Sequence, residues 1–102
     1  MSRTEFLETL QSIIVDRIEN PVDGSYTARL VSMGTLKVAQ KFGEECVELS
    51  LATVAESDGR VTDEAADVIY HLLVLLSQRG IDLSEVVDEL ERRHEQHSLP
   101  SP

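Results

Sequence analysis

The chain is short and acidic, with 102 residues, 41% of them hydrophobic, and a formal net charge of −10. This length fits one small domain, and apolar residues could bury a fuller core against a second copy, so we expect a homodimer. The negative charge argues against a nucleic-acid partner, because Arg92-Arg93 is the only basic dipeptide. The longest unbroken apolar run, 72–76, is too short to span a bilayer, and no signal peptide is visible. We therefore expect a soluble, cytoplasmic protein with no membrane partner.

The first predicted helix begins near Ser2, whose hydroxyl can form a capping box with Glu5. Apolar residues then recur at helical spacing: Phe6, Leu7, Leu10, Ile13, Ile14 and Ile18. Asn20-Pro21 ends this helix because a proline restricts the conformation of the residue before it. A polar loop over residues 22–30 follows and runs into a possible short helix, which Gly34 breaks.

The second long helix is predicted over residues 35–55. Its apolar stripe consists of Val38, Ala39, Phe42, Cys46, Leu49 and Val54. Another face has two lysines and two glutamates at i, i+4, i+7 and i+11, namely Lys37, Lys41, Glu44 and Glu48. The Ser-Asp-Gly sequence at 57–59 predicts a turn after this helix.

The third helix is predicted to begin at Thr62, an N-cap residue with two acidic residues in the first turn, where anions suit the helix dipole. From Ala65 to Leu76 the sequence is apolar on most sides, which indicates the central, buried helix. Gly80 ends it.

A fourth helix is capped by Asp82 or Ser84 and has an apolar stripe of Val86, Val87 and Leu90. The scarcity of aromatic residues also favours helices over a β-sandwich. These elements predict one all-α domain over residues 1–96, a bundle of four to five helices completed by homodimerisation. Residues 97–102 are predicted to be a disordered tail.

Two pairs of carboxylates occur at i, i+3 on the predicted second and third helices, Glu45 with Glu48 and Glu64 with Asp67. Residues three apart lie on one face of a helix, so each pair can act as a two-pronged acidic ligand. Bringing four anions together is costly unless a cation neutralises them, and oxygen ligands suit Mg²⁺, Mn²⁺ or Ca²⁺. The alternative, that both pairs are solvated helix surface, stays open at this point.

Three further residues allow a structural and a functional interpretation. Lys37 and Lys41 can form ion pairs with nearby glutamates on the same helix, or they can hold phosphates that bridge to a metal. His71 lies one turn after Asp67. It can be a hydrogen-bonded core histidine or a ligand at the acidic face.

The acidic residues also match a known sequence signature. Residues 41–48 read Lys-Phe-Gly-Glu-Glu-Cys-Val-Glu, and residues 64–67 read Glu-Ala-Ala-Asp. Together they resemble the Glu-Glu-x-x-Glu…Glu-x-x-Asp signature of the all-α nucleotide pyrophosphatases, which have the MazG-type fold. More narrowly, residues 6–94 resemble the phosphoribosyl-ATP pyrophosphatase family, through Ser25-Tyr26-Thr27, the two lysines and the run from Glu64 to Leu76. Phe42 and Cys46 replace smaller aliphatic residues of the family pattern, which bears on packing.

This resemblance implies a bundle of the all-α nucleotide pyrophosphatase type and hydrolysis of phosphoribosyl-ATP to phosphoribosyl-AMP and pyrophosphate, the second step of histidine biosynthesis. It implies Mg²⁺, with Mn²⁺ as a possible substitute, bound by Glu45, Glu48, Glu64 and Asp67. In this family the activity is often fused to a phosphoribosyl-AMP cyclohydrolase. Because this chain is free-standing, a separate cyclohydrolase is expected. The expected substrate-binding residues are Ser25, Tyr26, Thr27, Arg29, Lys37, Lys41 and His71.

Glu44 is the candidate catalytic residue, because it lies beside the acidic pair and could orient or deprotonate the attacking water. An exposed ion-pair partner of Lys41 is the competing interpretation. Two other functions stay open: a house-cleaning nucleoside triphosphate pyrophosphatase of the same fold, and a non-catalytic helical dimerisation module. The Ser25-Tyr26-Thr27 loop favours the histidine-pathway activity, since the general signature does not require it.

Overall fold

Helices make up all the regular structure in the part of the chain that a computed structural model describes, residues 3–96. They are α1 (Phe6–Glu19), α2 (Tyr26–Ser32), α3 (Thr35–Ala55), α4 (Asp58–Gln78) and α5 (Leu83–Glu95). The predicted all-α fold with four to five helices is confirmed. The predicted tail at 97–102 lies outside the described residues. Across residues 3–96, no helix has the length and apolar character needed to cross a membrane.

Local sequence signals place several helix ends as predicted. Helix α2 is an exception, because it begins at Tyr26, inside the loop predicted over residues 22–30; the Ser25 hydroxyl caps it by accepting a hydrogen bond from the Ala28 backbone N–H. Gly34 precedes α3 with φ of 99°, a left-handed conformation that favours glycine. Asp82 caps α5 in a reciprocal capping box with Glu85. The predicted bounds of α3 and the predicted cap of α5 are confirmed.

The N-terminal ends of α1 and α4 differ from prediction. Helix α1 begins at Phe6 after an N-cap residue, Glu5, that makes no side-chain capping bond, and the predicted cap Ser2 lies outside the described residues. Helix α4 begins at Asp58 and not at Thr62, because the Ser57 hydroxyl accepts a hydrogen bond from the Arg60 N–H. The Ser-Asp-Gly sequence is thus a helix cap and first turn. As a result, Arg60 lies on the helix.

The core lies where α1, α2, α3 and α4 meet. Its buried apolar residues are Ile14, Leu30, Val38, Leu73 and Val74. Helices α3 and α4, which follow each other closely in sequence, form the most extensive helix pair, and α1 and α2 pack beside them. The long α3–α4 pair therefore determines where the predicted acidic residues meet.

The buried face of α3 differs from the predicted apolar stripe. Val38, Glu45 and Ala52, spaced by seven residues, are buried, whereas Val54 is 87% exposed. Glu45, which the predicted stripe did not include, lies on the packed side of α3. On the opposite side, α3 exposes a row of large apolar residues, here called the outer face: Leu36, Val47, Leu51 and Val54.

A buried glutamine joins α5 to the bundle. The Gln11 amide donates hydrogen bonds to the Ile81 carbonyl at 3.0 Å and to Ser77 Oγ at 3.2 Å. Its carbonyl oxygen accepts from the Leu83 N–H at 2.7 Å, at the start of α5. No residue of α5 is fully buried, and these hydrogen bonds add to the contact of Leu83 with the core in attaching that helix.

Replacing Gln11 with methionine is expected to lower the free energy of unfolding by about 1–3 kcal/mol, because partly buried backbone groups lose their partners. Urea denaturation followed by circular dichroism measures the change. Ser12→Ala is the matched control, since the Ser12 hydroxyl donates its hydrogen bond to the Glu8 carbonyl within an exposed helical turn. Equal stability of the two variants would contradict a structural role for Gln11.

Candidate metal and nucleotide site

Three of the four predicted carboxylates come together between α3 and α4. One oxygen each of Glu45, Glu48 and Glu64 lies within 4.8 Å of the others. The fourth, Asp67, lies one turn further along α4, is exposed and is not part of this group. The group includes residues of two neighbouring helices, so it is not simply the acidic surface of a single helix.

The two buried carboxylates of this group each have one bonded oxygen and one without a partner. Glu45 and Glu64 are only 5% and 6% exposed. Lys41 Nζ lies 3.1 Å from Glu45 Oε1, and Arg60 Nη2 lies 2.6 Å from Glu64 Oε1. Both Oε2 atoms are buried without a hydrogen-bond partner. Burying a carboxylate oxygen without a hydrogen-bond partner costs free energy, and a cation that prefers oxygen ligands would give both atoms a partner. The donor set therefore fits a divalent cation.

Repulsion between the acids supports the same interpretation. The negative charge of Glu45 raises the pKa of the Glu48 carboxyl, and Glu64 acts in the same direction. A neighbouring anion disfavours ionisation, whereas a bound cation would reverse the effect. Protons and a metal ion are thus expected to compete for this group.

Arg60 contacts the acidic group and was not among the residues predicted for the site. Besides Glu64, its guanidinium lies 3.5 Å from carboxylate oxygens of both Glu56 and Asp63. The predicted turn at 57–59 had placed Arg60 outside the helix. If the Ser57 cap is recognised, Arg60 stands at i, i+4 to Glu64, a spacing that brings side chains together.

The predicted Ser-Tyr-Thr segment packs against α4 through hydrogen bonds. The Tyr26 hydroxyl lies 2.9 Å from His71 Nε2, and His71 Nδ1 lies 2.7 Å from the Asp67 carbonyl oxygen. Because a carbonyl can only accept, Nδ1 carries a proton, and in neutral His71 the Tyr26 hydroxyl donates to Nε2. His71 is 5% exposed, so both of its nitrogens are engaged within the protein.

Thr27 is the buried member of the segment. It is 3% exposed, and its hydroxyl is hydrogen-bonded to the Tyr70 hydroxyl on α4. Tyr26 is 37% exposed, and the Arg29 guanidinium lies 5.6 Å from the centre of its ring. Of the three side chains of the segment, Tyr26 is therefore the one most available to a ligand.

Comparison with known proteins decides the family. The family model described as phosphoribosyl-ATP pyrophosphohydrolase matches residues 7–94. The chain belongs to the phosphoribosyl-ATP pyrophosphohydrolase family. It is 53% identical over 90 residues to a phosphoribosyl-ATP pyrophosphatase of Ignicoccus hospitalis, covering 88% of each chain. It is 52% identical to the enzyme of that name from Metallosphaera sedula, covering 88% of this chain and 97% of the relative. The resemblance drawn from the sequence is confirmed.

Of the other predicted residues, Tyr26 lies on α2, and Glu44 and Lys37 lie on α3. Burial raises the pKa of Tyr26, and the charges of Lys41 and Glu45 also act on its hydroxyl, which associates the α2 segment with the acidic group. Glu44 is exposed and, with Gly43, Val47 and Glu48, lines a depression of about 450 Å³. Lys37, also exposed, lies one turn before Lys41.

Proposed function

We propose that this protein hydrolyses phosphoribosyl-ATP to phosphoribosyl-AMP and pyrophosphate, the second step of histidine biosynthesis. The observation that supports this most is the family match over residues 7–94, which includes every residue of the acidic group. The relatives from Ignicoccus hospitalis and Metallosphaera sedula are named for that activity.

In this proposal Glu45, Glu48 and Glu64 bind Mg²⁺, for which Mn²⁺ can substitute, and Asp67 is the fourth ligand. The unpartnered Oε2 atoms of Glu45 and Glu64 support this assignment. The bound ion supplies charge screening of the polyphosphate and a Lewis acid for its oxygens. The carboxylates hold this charge beside the substrate instead of leaving it to a mobile counter-ion.

Basic side chains of α2 and α3 are proposed to bind the substrate's phosphates. Lys41 is already held beside the acidic group by Glu45 at 3.1 Å, and Lys37 lies one turn before it. Arg29 approaches from α2 across the ring of Tyr26. These three cations oppose the negative charge of the polyphosphate, which the acidic chain would otherwise repel.

Glu44 is proposed to orient or deprotonate the water that attacks a phosphorus atom of the polyphosphate. Its carboxylate is exposed beside the depression that Glu48 also lines, so water can reach it. Ser25, Tyr26 and Thr27 are proposed to shape the nucleotide end, with Tyr26 making the direct contact. His71 contributes by holding the Tyr26 hydroxyl.

The active form is proposed to be a homodimer joined through the outer face. Leu36, Leu51 and Val54 are 84%, 63% and 87% exposed. Side chains of this size in one row on a helix favour a partner, and a second copy offers the same row.

The proposed cellular setting is the cytoplasm, with phosphoribosyl-ATP as the substrate and a separate phosphoribosyl-AMP cyclohydrolase that consumes the product. Neither a nucleic acid nor a membrane is a proposed partner. The net charge of −10 disfavours binding to phosphate-rich or anionic surfaces.

Pyrophosphate release from phosphoribosyl-ATP, with ATP and other nucleoside triphosphates assayed in parallel, tests this function. We expect fast release from phosphoribosyl-ATP alone, which stops when EDTA removes the metal and returns with Mg²⁺ or Mn²⁺. Preference for a plain triphosphate would move the protein to the house-cleaning class. Release from no substrate would overturn the catalytic proposal and favour a non-catalytic dimerisation module.

A further inference from the structure

The Arg60 guanidinium forms ion pairs with three carboxylates at once. Its Nη2 lies 2.6 Å from Glu64, while Nε and Nη1 each lie 3.5 Å from an oxygen of Glu56 and Asp63 respectively. The Glu64 side chain is 8% exposed, but those of Glu56 and Asp63 are 44% and 67% exposed. One cation thus connects a buried carboxylate of the metal site with two carboxylates in solvent.

We propose that Arg60 is an internal counter-cation that neutralises Glu64 while the metal is absent and transfers to Glu56 and Asp63 when the metal binds. Arg60 is a positioning residue, since it acts through Glu64. The proposal rests on the metal site of the proposed function. It adds that metal binding requires an ion-pair exchange on α4.

The arrangement favours exchange over a permanent ion pair. A divalent ion on Glu64 would place two positive groups on one carboxylate, which weakens the hold of Arg60 on it. The guanidinium side chain is 52% exposed and already lies close to both alternative acceptors. It can therefore leave Glu64 without losing all of its ion pairs. Lys41 differs, because among the described residues its one ion pair within 4.0 Å is with Glu45.

If Arg60 is exchanged in this way, its removal should lower the metal-free melting temperature and raise the metal affinity. Without Arg60, the metal-free protein has a buried Glu64 carboxylate lacking its cation, so its melting temperature falls. The same loss removes a competitor for Glu64, so the metal binds more tightly. A residue that only supports the structure would lower the melting temperature without improving metal affinity.

Titration of the metal-free protein with Mn²⁺ by isothermal calorimetry, without substrate, is the central experiment. We expect Arg60→Gln to bind Mn²⁺ about five- to tenfold more tightly than the unaltered protein. Scanning calorimetry on the same samples is expected to show a lower metal-free melting temperature. Arg17→Gln is the matched control, because Arg17 pairs with the exposed Asp16 on α1 and the charge change is equal.

Arg60→Lys separates direct pairing from general charge repulsion. Lysine keeps the positive charge but lacks the planar fork that reaches several carboxylates. We expect Mn²⁺ affinity to rise about two- to threefold, whereas simple repulsion of the metal would leave it unchanged. This variant also provides the test if Arg60→Gln does not fold.

Glu56→Gln tests the destination of the guanidinium. We expect it to weaken Mn²⁺ binding in the unaltered protein and to have a smaller effect in the Arg60→Gln background, a non-additivity that indicates coupling. Additive effects would overturn the transfer to Glu56.

Equal Mn²⁺ affinity of the unaltered and Arg60→Gln proteins would overturn the counter-cation role alone. No Mn²⁺ binding by any variant would overturn the metal site itself.

Discussion

Replacing Glu64 with glutamine is expected to lower kcat for pyrophosphate release at least about 100-fold, or roughly 2.7 kcal/mol of activation free energy. Glutamine has nearly the same shape but removes one of three anions that lie within 4.8 Å of each other. The metal would then be held by fewer charges, and its screening of the polyphosphate would weaken. Steady-state assays at saturating Mg²⁺ and phosphoribosyl-ATP measure the loss.

The fold is expected to survive this change, because the variant relieves repulsion on Glu48 and the amide can still accept a hydrogen bond from Arg60. Glu91→Gln is the matched control. It makes the same Glu-to-Gln change at an exposed position on α5, outside the acidic group and the ion pairs of Arg60. We expect kcat of this control to stay within about threefold. Retention of more than a tenth of the original kcat by Glu64→Gln would contradict direct metal ligation.

Asp67→Asn examines the one predicted ligand that lies outside the group of three. If Asp67 is the fourth ligand, this variant loses at least about tenfold in kcat, or 1.4 kcal/mol. A normal kcat would limit the ligand set to Glu45, Glu48 and Glu64. The backbone carbonyl of Asp67 bonds His71, so the asparagine variant leaves the Tyr26–His71 connection in place.

Local signals in the sequence were sufficient for much of the fold. The Gly34 break, the Asp82 cap and the length of α3 follow from rules that involve only a few neighbouring residues. The same rules were ambiguous at residues 57–59, since serine, aspartate and glycine are common both in turns and at helix N-termini. That ambiguity is why the start of α4, and with it Arg60, was missed.

The site was only partly predictable because its geometry depends on packing between helices. Spacing paired Glu45 with Glu48, but the burial of Glu45 depends on how α3 packs within the bundle, which spacing along one helix does not specify. The Thr27–Tyr70 hydrogen bond joins residues 43 positions apart, and the Tyr26–His71 bond joins residues 45 apart. Periodicity contains no information about such contacts. The family resemblance indicated the segment, but the sequence alone gave no hydrogen-bond partners.

Apolar periodicity also misled in one respect. Val54 was expected in the core, yet it lies with Leu36, Val47 and Leu51 on the side of α3 away from α4. A helix with apolar residues on two opposite sides can satisfy only one of them within a single small bundle. The error at Val54 therefore locates the surface that a second copy is proposed to cover.

Replacing Leu51 with lysine is expected to convert a dimer into a monomer. Leu51 is 63% exposed in one copy, so the substitution should change the stability of an isolated chain by less than about 0.5 kcal/mol. In a symmetric dimer each change occurs twice and places an ammonium group in an apolar interface. We expect the dissociation constant to rise at least about 100-fold. Sedimentation velocity over a range of protein concentrations measures this shift.

Val22→Lys is the matched control, because Val22 is 51% exposed but lies in the loop before α2 and not on the outer face. It is expected to keep the sedimentation behaviour of the unaltered protein. A monomeric unaltered protein would overturn the dimer, while a Leu51→Lys dimer would mean that copies join through another surface. Because Val47 lines the same depression as Glu44 and Glu48, dimerisation through the outer face would bring the second copy beside the site. Loss of activity in step with dissociation would then identify the dimer as the catalytic unit.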